Sequence, residues 1–180
     1  MSSLKDRMIR AAKLDVTLYE EVEADTEAMG QAMGVVVLSS VAAGVGTITR
    51  GGGAGFIPSI LFGTLLALIS WYVWAYLTYF IGTKLLPEPQ TKADPGELLR
   101  TIGFSSSPGL ICVLGIIPML TKIVFFVANI WMLIAMVIAV RQALDYKSMF
   151  RATGVCLIGW IIRGLILLLL FSILGAPGKV

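Results

Sequence analysis

Five apolar runs, each near the length of a membrane crossing, constrain this chain more than any other feature of its sequence. They fall at 28–48, 60–81, 104–120, 123–140 and 153–174. A hydrocarbon core about 30 Å thick takes roughly 20 helical residues to cross. In lipid, backbone N–H and C=O groups must be satisfied within the segment itself, so such runs form helices. None alternates apolar and polar residues with period two, as the strands of a membrane barrel do. Composition agrees: 57% of residues are hydrophobic and 14% charged, too few charges to clothe a soluble domain of this size. The expected class is an all-α integral membrane protein with five transmembrane helices. An N-terminal extension (1–27) precedes a membrane domain (28–176).

Charge sets the expected orientation, because Lys and Arg in short loops concentrate on the cytoplasmic side. With the N-terminus cytoplasmic and the C-terminus outside, ten basic residues fall inside. Three fall outside (Arg50, Lys122 and Lys179), Arg163 lies within the last span, and all eleven acidic residues fall inside. The third segment carries Pro108 and Pro118, and Ser107-Pro108 reads as an N-cap followed by a helix-opening proline. A re-entrant third segment would cut the bias to nine against four. The stronger bias favours five crossings, with the third helix kinked or broken by its prolines. No 7–15-residue apolar run follows the basic cluster of the extension, so no cleavable signal peptide is expected. The expected location is a bacterial plasma (inner) membrane, multi-pass.

The residue inventory removes much chemistry. The chain has no histidine, which excludes histidine-ligated metal and histidine acid–base catalysis. Cys112 and Cys156 lie in separate spans without metal-ligand spacing and read as small buried hydrophobes. No carboxylate lies in any span, so a proton relay lacks its usual carrier. No nucleophile–base pair is apparent, and the expectation is a non-enzymatic protein without a cofactor. Nothing points to nucleic acid.

Arg163 is the sharp anomaly. It sits near the middle of the fifth apolar run, where an arginine costs about 2.5–3.5 kcal/mol to insert. Its candidate partners are carbonyls freed by Pro108 or Pro118, the Asn129 side chain, and a lipid phosphate drawn inward. Snorkelling to the interface is the alternative.

On the cytoplasmic side, Leu4, Met8, Ala11 and Ala12 recur at helical spacing, as an interfacial helix or one packed on the protein itself. The acidic stretch bearing Glu20, Glu21 and Glu23 could dock a basic partner or cover the loop that carries Lys84, Lys92 and Arg100. Arg141 and Asp145, spaced i and i+4, suggest a weak pair at a helix end and a docking face near the extension. In the second span, Tyr72, Tyr76 and Tyr79 share one helical face, for core packing or for a lipid or pigment groove. The small residues of the first span, Gly34 and Gly44 among them, permit close helix contact.

The run Glu97-Leu-Leu-Arg-Thr-Ile-Gly-Phe-Ser-Ser-Ser-Pro-Gly109, then Gly115-Ile-Ile-Pro118, Trp131 and Ala139-Val-Arg-Gln-Ala-Leu-Asp145 resemble the prokaryotic branch of the Yip-domain family, named for Ypt/Rab-interacting proteins. The resemblance covers nearly the whole membrane region. It implies five spans, a cytoplasmic N-terminus and, in eukaryotic relatives, Rab-GTPase and trafficking partners. The Asp-Leu-Tyr-Gly-Pro signature of those relatives is missing here.

The expected function is a membrane scaffold or accessory subunit, contacting lipids and other membrane proteins or itself, with a role in membrane organisation or trafficking. The competing expectation is a small transporter or channel for an anionic substrate, using Arg163 and the broken third helix.

Overall fold

The structure is a computed structural model, and it describes residues 2–48 and 55–174. Among these, the regular structure is helical throughout: α1 (Leu4–Ala12), α2 (Val16–Ala24), α3 (Met29–Gly46), α4 (Phe56–Phe80), α5 (Pro95–Ser105), α6 (Thr121–Ala143) and α7 (Met149–Leu174). A single 3₁₀ turn, Thr26–Ala28, leads into α3, and a π turn, Ile81–Leu85, closes α4. Five helical segments are long and apolar enough to cross a membrane. Arg50, most of the glycine-rich loop after it, and Lys179 lie outside the described residues.

Side-chain caps start the short helices. Ser3 Oγ accepts from the Asp6 amide and Asp15 Oδ1 from the Thr17 amide. Asp94 and Glu97 form a reciprocal capping box around Pro95, which satisfies the orphan amides of the first turn and starts α5 well before the apolar run begins.

The third segment is the axis of the bundle. Its apolar window is 67% buried, against 6% for the second, so it lies inside while α4 faces outward. At Ser107 it passes from α into a ten-residue 3₁₀ helix, Ser107–Ile116. Ser107 does not cap a new helix; its hydroxyl donates back to the Phe104 carbonyl at 2.7 Å. Eleven α residues at about 1.5 Å and ten 3₁₀ residues at about 2.0 Å extend roughly 36 Å, enough for a full crossing.

A 3₁₀ helix repeats every three residues, so Gly109, Cys112 and Gly115 share one face, and that face meets α3. A Cβ on Gly109 would lie 3.0 Å from Ser39 Oγ, one on Gly115 2.8 Å from the Gly46 carbonyl, and one on Gly46 2.0 Å from the Cys112 carbonyl. The small residues at the end of α3 thus serve internal packing. Gly30 and Gly34, by contrast, have nothing within 4 Å of a would-be Cβ.

The N-terminal extension is fastened to the bundle. Leu18, Tyr19 and Val22 of α2 are fully buried in one core with Leu98, Val140 and Leu144. Leu4 and Met8 of α1 pack against the same core, so this helix covers the protein's own surface. Arg7, only 3% exposed, bonds Asp25 at 2.7 Å, Glu21 at 2.9 Å and Gln31 at 3.0 Å. Trp131 Nε1, in the middle of α6, donates to the Ala12 carbonyl at 2.8 Å. The layer of α1 and α2 therefore climbs half-way up α6.

Candidate functional site

All five long segments contribute to one cavity of about 390 Å³. Val36 to Ala43 of α3, Ala67 to Trp74 of α4, Ile102 to Cys112 of the third segment, Asn129 to Met136 of α6, and Trp160 and Arg163 of α7 line it. Helical rise makes it roughly 10 Å tall on α6.

Its polar groups are unequally satisfied. Ser39 Oγ donates to the Ser106 carbonyl, Ser105 Oγ to Ile102 at 2.7 Å, and Ser40 Oγ to Val37 at 2.8 Å. Trp71 Nε1 donates to the Leu99 carbonyl at 3.0 Å. Trp74 differs: it is 8% exposed, and its buried Nε1–H has no partner. Gly159 gives its ring room, since a Cβ there would lie 3.0 Å from Trp74 Cη2. An indole N–H can only donate, and this one is packed away from any acceptor.

The structure brings Arg163 and Asn129 together at this cavity, on facing helices. Asn129 Nδ2 donates to the Phe125 carbonyl, one turn back on its own helix, at 2.6 Å. Pro108 is buried beside cavity-lining Gly109. Pro118 is not part of the site. It lies exposed in the turn before α6, where its carbonyl accepts from Thr121 Oγ1 at 3.2 Å. No carboxylate lines the cavity, and no described carboxylate pairs with Arg163. Trp74 escaped the sequence reading because only packing shows whether an indole finds an acceptor.

Asn129 is two residues from Trp131, about 3 Å of rise, and Trp131 bonds the end of α1.

The other predicted residues meet around α2. Arg100, 5% exposed, donates from Nε to the Val22 carbonyl at 2.9 Å and from Nη2 to the Glu23 carbonyl. It places a cation at the carbonyl end of α2, where the helix dipole favours one. Glu21 is not free to meet a partner: bonds from Ser2, Arg10 and Arg7 hold its carboxyl down to about 2. Glu23 behaves oppositely. Burial pushes it up to about 7, helped by the negative charges of Glu97, Asp145 and Glu20 and opposed by Arg100. Glu20 accepts from Gln142 Nε2 at 2.9 Å. The expected Arg141–Asp145 pair does not form. The helix ends at Ala143, Asp145 takes a left-handed φ of 53°, and Arg141 Nε turns to the Tyr146 carbonyl at 3.2 Å. Tyr72 and Tyr76 stack on the exposed face of α4 with centroids 5.0 Å apart, outside the core.

A Yip1 domain family model matches residues 19–174, from α2 to the end of α7. The chain belongs to the Yip1 family. That family is linked to membrane trafficking, and the match begins within α2. No curated protein and no solved structure matches the chain. The Yip1 domain here is a multi-pass helical membrane protein in which the third segment is the most buried of the five long ones.

Proposed function

We propose that this Yip1 protein is a non-enzymatic scaffold or accessory subunit of a membrane complex, in a bacterial-type inner membrane with the α1–α2 layer cytoplasmic. The observation that carries this reading is the locked layer itself. Buried Arg7 and Arg100 hold α1 and α2 in one fixed position, and a fixed surface can bind a partner without an ordering cost. Its outer face gathers Glu20, Glu23 and Asp145 from two separate stretches of chain, which suits a Lys/Arg-rich segment of a partner protein. A photo-crosslinker at Glu20 or Asp145 tests it in intact membranes. A discrete crosslinked partner, absent when the crosslinker is moved to Phe62 on α4, supports the reading; labelling of lipid alone counts against it.

The cavity favours a second reading, a small anion transporter with Arg163 at its substrate site. Anion flux in liposomes, abolished by Arg163→Leu in a protein that remains folded, would decide for it.

A further inference from the structure

We propose that the five-helix cavity is reached from water through a second cavity between α3 and α4, and that small anions approach Arg163 by this route. The ligand class rests on the anion reading above, which the proposal deepens; the route rests on the two cavities.

The second cavity, about 270 Å³, adjoins the first at Ser40 and Ala43, which line both. On α3 the lining residues Val36, Ser40, Ala43 and Thr47 recur at helical spacing, so they share one face. On α4 the series Phe56, Ile60, Gly63, Ala67, Ser70 and Trp74 does the same. The two cavities are therefore consecutive stretches of one cleft between the same two helix faces. Helical rise gives the cleft about 17 Å along α3 and about 27 Å along α4.

Small and hydroxylated side chains make this cleft open and wettable. A Cβ on Gly63 would meet nothing within 4 Å. Thr47 Oγ1 donates to the Gly44 carbonyl at 2.8 Å and Ser59 Oγ to the Gly55 carbonyl at 2.7 Å. At the junction, Ser40 Oγ lies 3.1 Å from Thr64 Oγ1. Each hydroxyl oxygen keeps a lone pair with which to accept from water, and a polar cavity of this size has room for it.

The two ends of the cleft differ. Thr47 and Ser59, at one end, are exposed. Trp71, Trp74 and Ile102, at the other, are 7%, 8% and 4% exposed and belong to the core that holds α2. Access therefore comes from the Thr47–Ser59 end, away from the α1–α2 layer. Among the described residues that line either cavity, Arg163 is the one charged side chain. A cleft lined by one sign of charge concentrates solutes of the other, which makes the solute an anion.

The test is cysteine accessibility in the full chain, with Cys112→Ala and Cys156→Ala removing the native thiols. Ser59→Cys, Ala43→Cys and Phe62→Cys are added singly, and each variant is checked for a single size-exclusion peak. Spheroplasts and inside-out vesicles are treated with anionic sulfonatoethyl or cationic trimethylammonioethyl methanethiosulfonate. Both reagents are membrane-impermeant and need a thiolate, which forms in water and not in hydrocarbon. Ala43→Cys should react from the same side as Ser59→Cys, while Phe62→Cys, on the outward face of α4, should not react. Gly63→Leu, which fills the open space, should slow Ala43→Cys and leave Ser59→Cys unchanged. The anionic-to-cationic rate ratio should be about fivefold or more higher at Ala43→Cys than at Ser59→Cys, and Arg163→Gln should abolish the difference. The route is overturned if Ala43→Cys stays unreactive from both sides while Ser59→Cys reacts, or if it reacts no faster than Phe62→Cys. A rate ratio unmoved by Arg163→Gln overturns the assignment to anions. A reactive Ala43→Cys in a protein that passes no iodide into liposomes would uphold the route and remove the transport reading alone.

Discussion

Replacing Arg100 by alanine should release α2 from the bundle while leaving the membrane helices assembled. The side chain is 5% exposed and donates to two carbonyls at the end of α2, Val22 at 2.9 Å and Glu23. Bonds from a charged donor contribute about 1.5–3 kcal/mol each, and truncation also orphans both carbonyls. Relief from holding a cation away from water offsets part of this, leaving a net loss of about 2–4 kcal/mol. At roughly 2–4 °C per kcal/mol for a chain of this size, the unfolding midpoint in detergent should fall by about 5–15 °C. Hydrogen exchange gives the local readout: α2 amides should lose about 30- to 1,000-fold of protection, with α6 and α7 unchanged. Arg100→Lys keeps the charge but not the fork, and should fall between. Undiminished protection over 16–24 in Arg100→Ala would refute the claim that this side chain fastens the layer.

Gly46→Ala should prevent correct assembly, because its Cβ would sit 2.0 Å from the Cys112 backbone carbonyl, whereas Gly34→Ala, with open space, should be neutral; size-exclusion profiles from mild detergent separate the two. Tyr19→Phe should leave stability unchanged or raise it by about 1–3 kcal/mol, since it removes a fully buried hydroxyl that has no partner, as thermal unfolding would show. For Glu23 the folded pKa of about 7 lies above the ordinary glutamate value of 4.5, so stability falls as pH rises between those values. Glu23→Gln should therefore stabilise the layer at pH 8 and lose that advantage by pH 5, measured by α2 exchange. Glu21, held down to about 2, works in the other direction: its contribution should fade as pH drops from about 4.5 towards 2, an effect that Glu21→Gln removes.

The five crossings were legible because apolar length is a property of sequence alone. What was not legible depends on neighbours. The 3₁₀ stretch Ser107–Ile116 follows from how closely Gly109 and Gly115 meet α3, and no periodicity in the third segment announces it. The π turn at Ile81–Leu85 is another case: it brings the Gly82 and Leu86 carbonyls within 2.9 and 2.7 Å of the Tyr146 hydroxyl, 64 and 60 residues along the chain. Arg163 was conspicuous in sequence, but the cavity it lines with residues of four other segments depends on packing. Pro108 and Pro118 were both named for the carbonyls they would free, but only Pro108 lies buried in the bundle. The pairing of Arg141 with Asp145 presumed that α6 continued one more turn.

The scaffold account is tested most directly by purification from native membranes in mild detergent, comparing the parent chain with a Glu20→Lys, Asp145→Lys variant. The account predicts a protein partner in stoichiometric amount with the parent, released by the charge reversals while the chain itself stays folded. Recovery of the parent chain alone, or a partner retained equally by the variant, would contradict it.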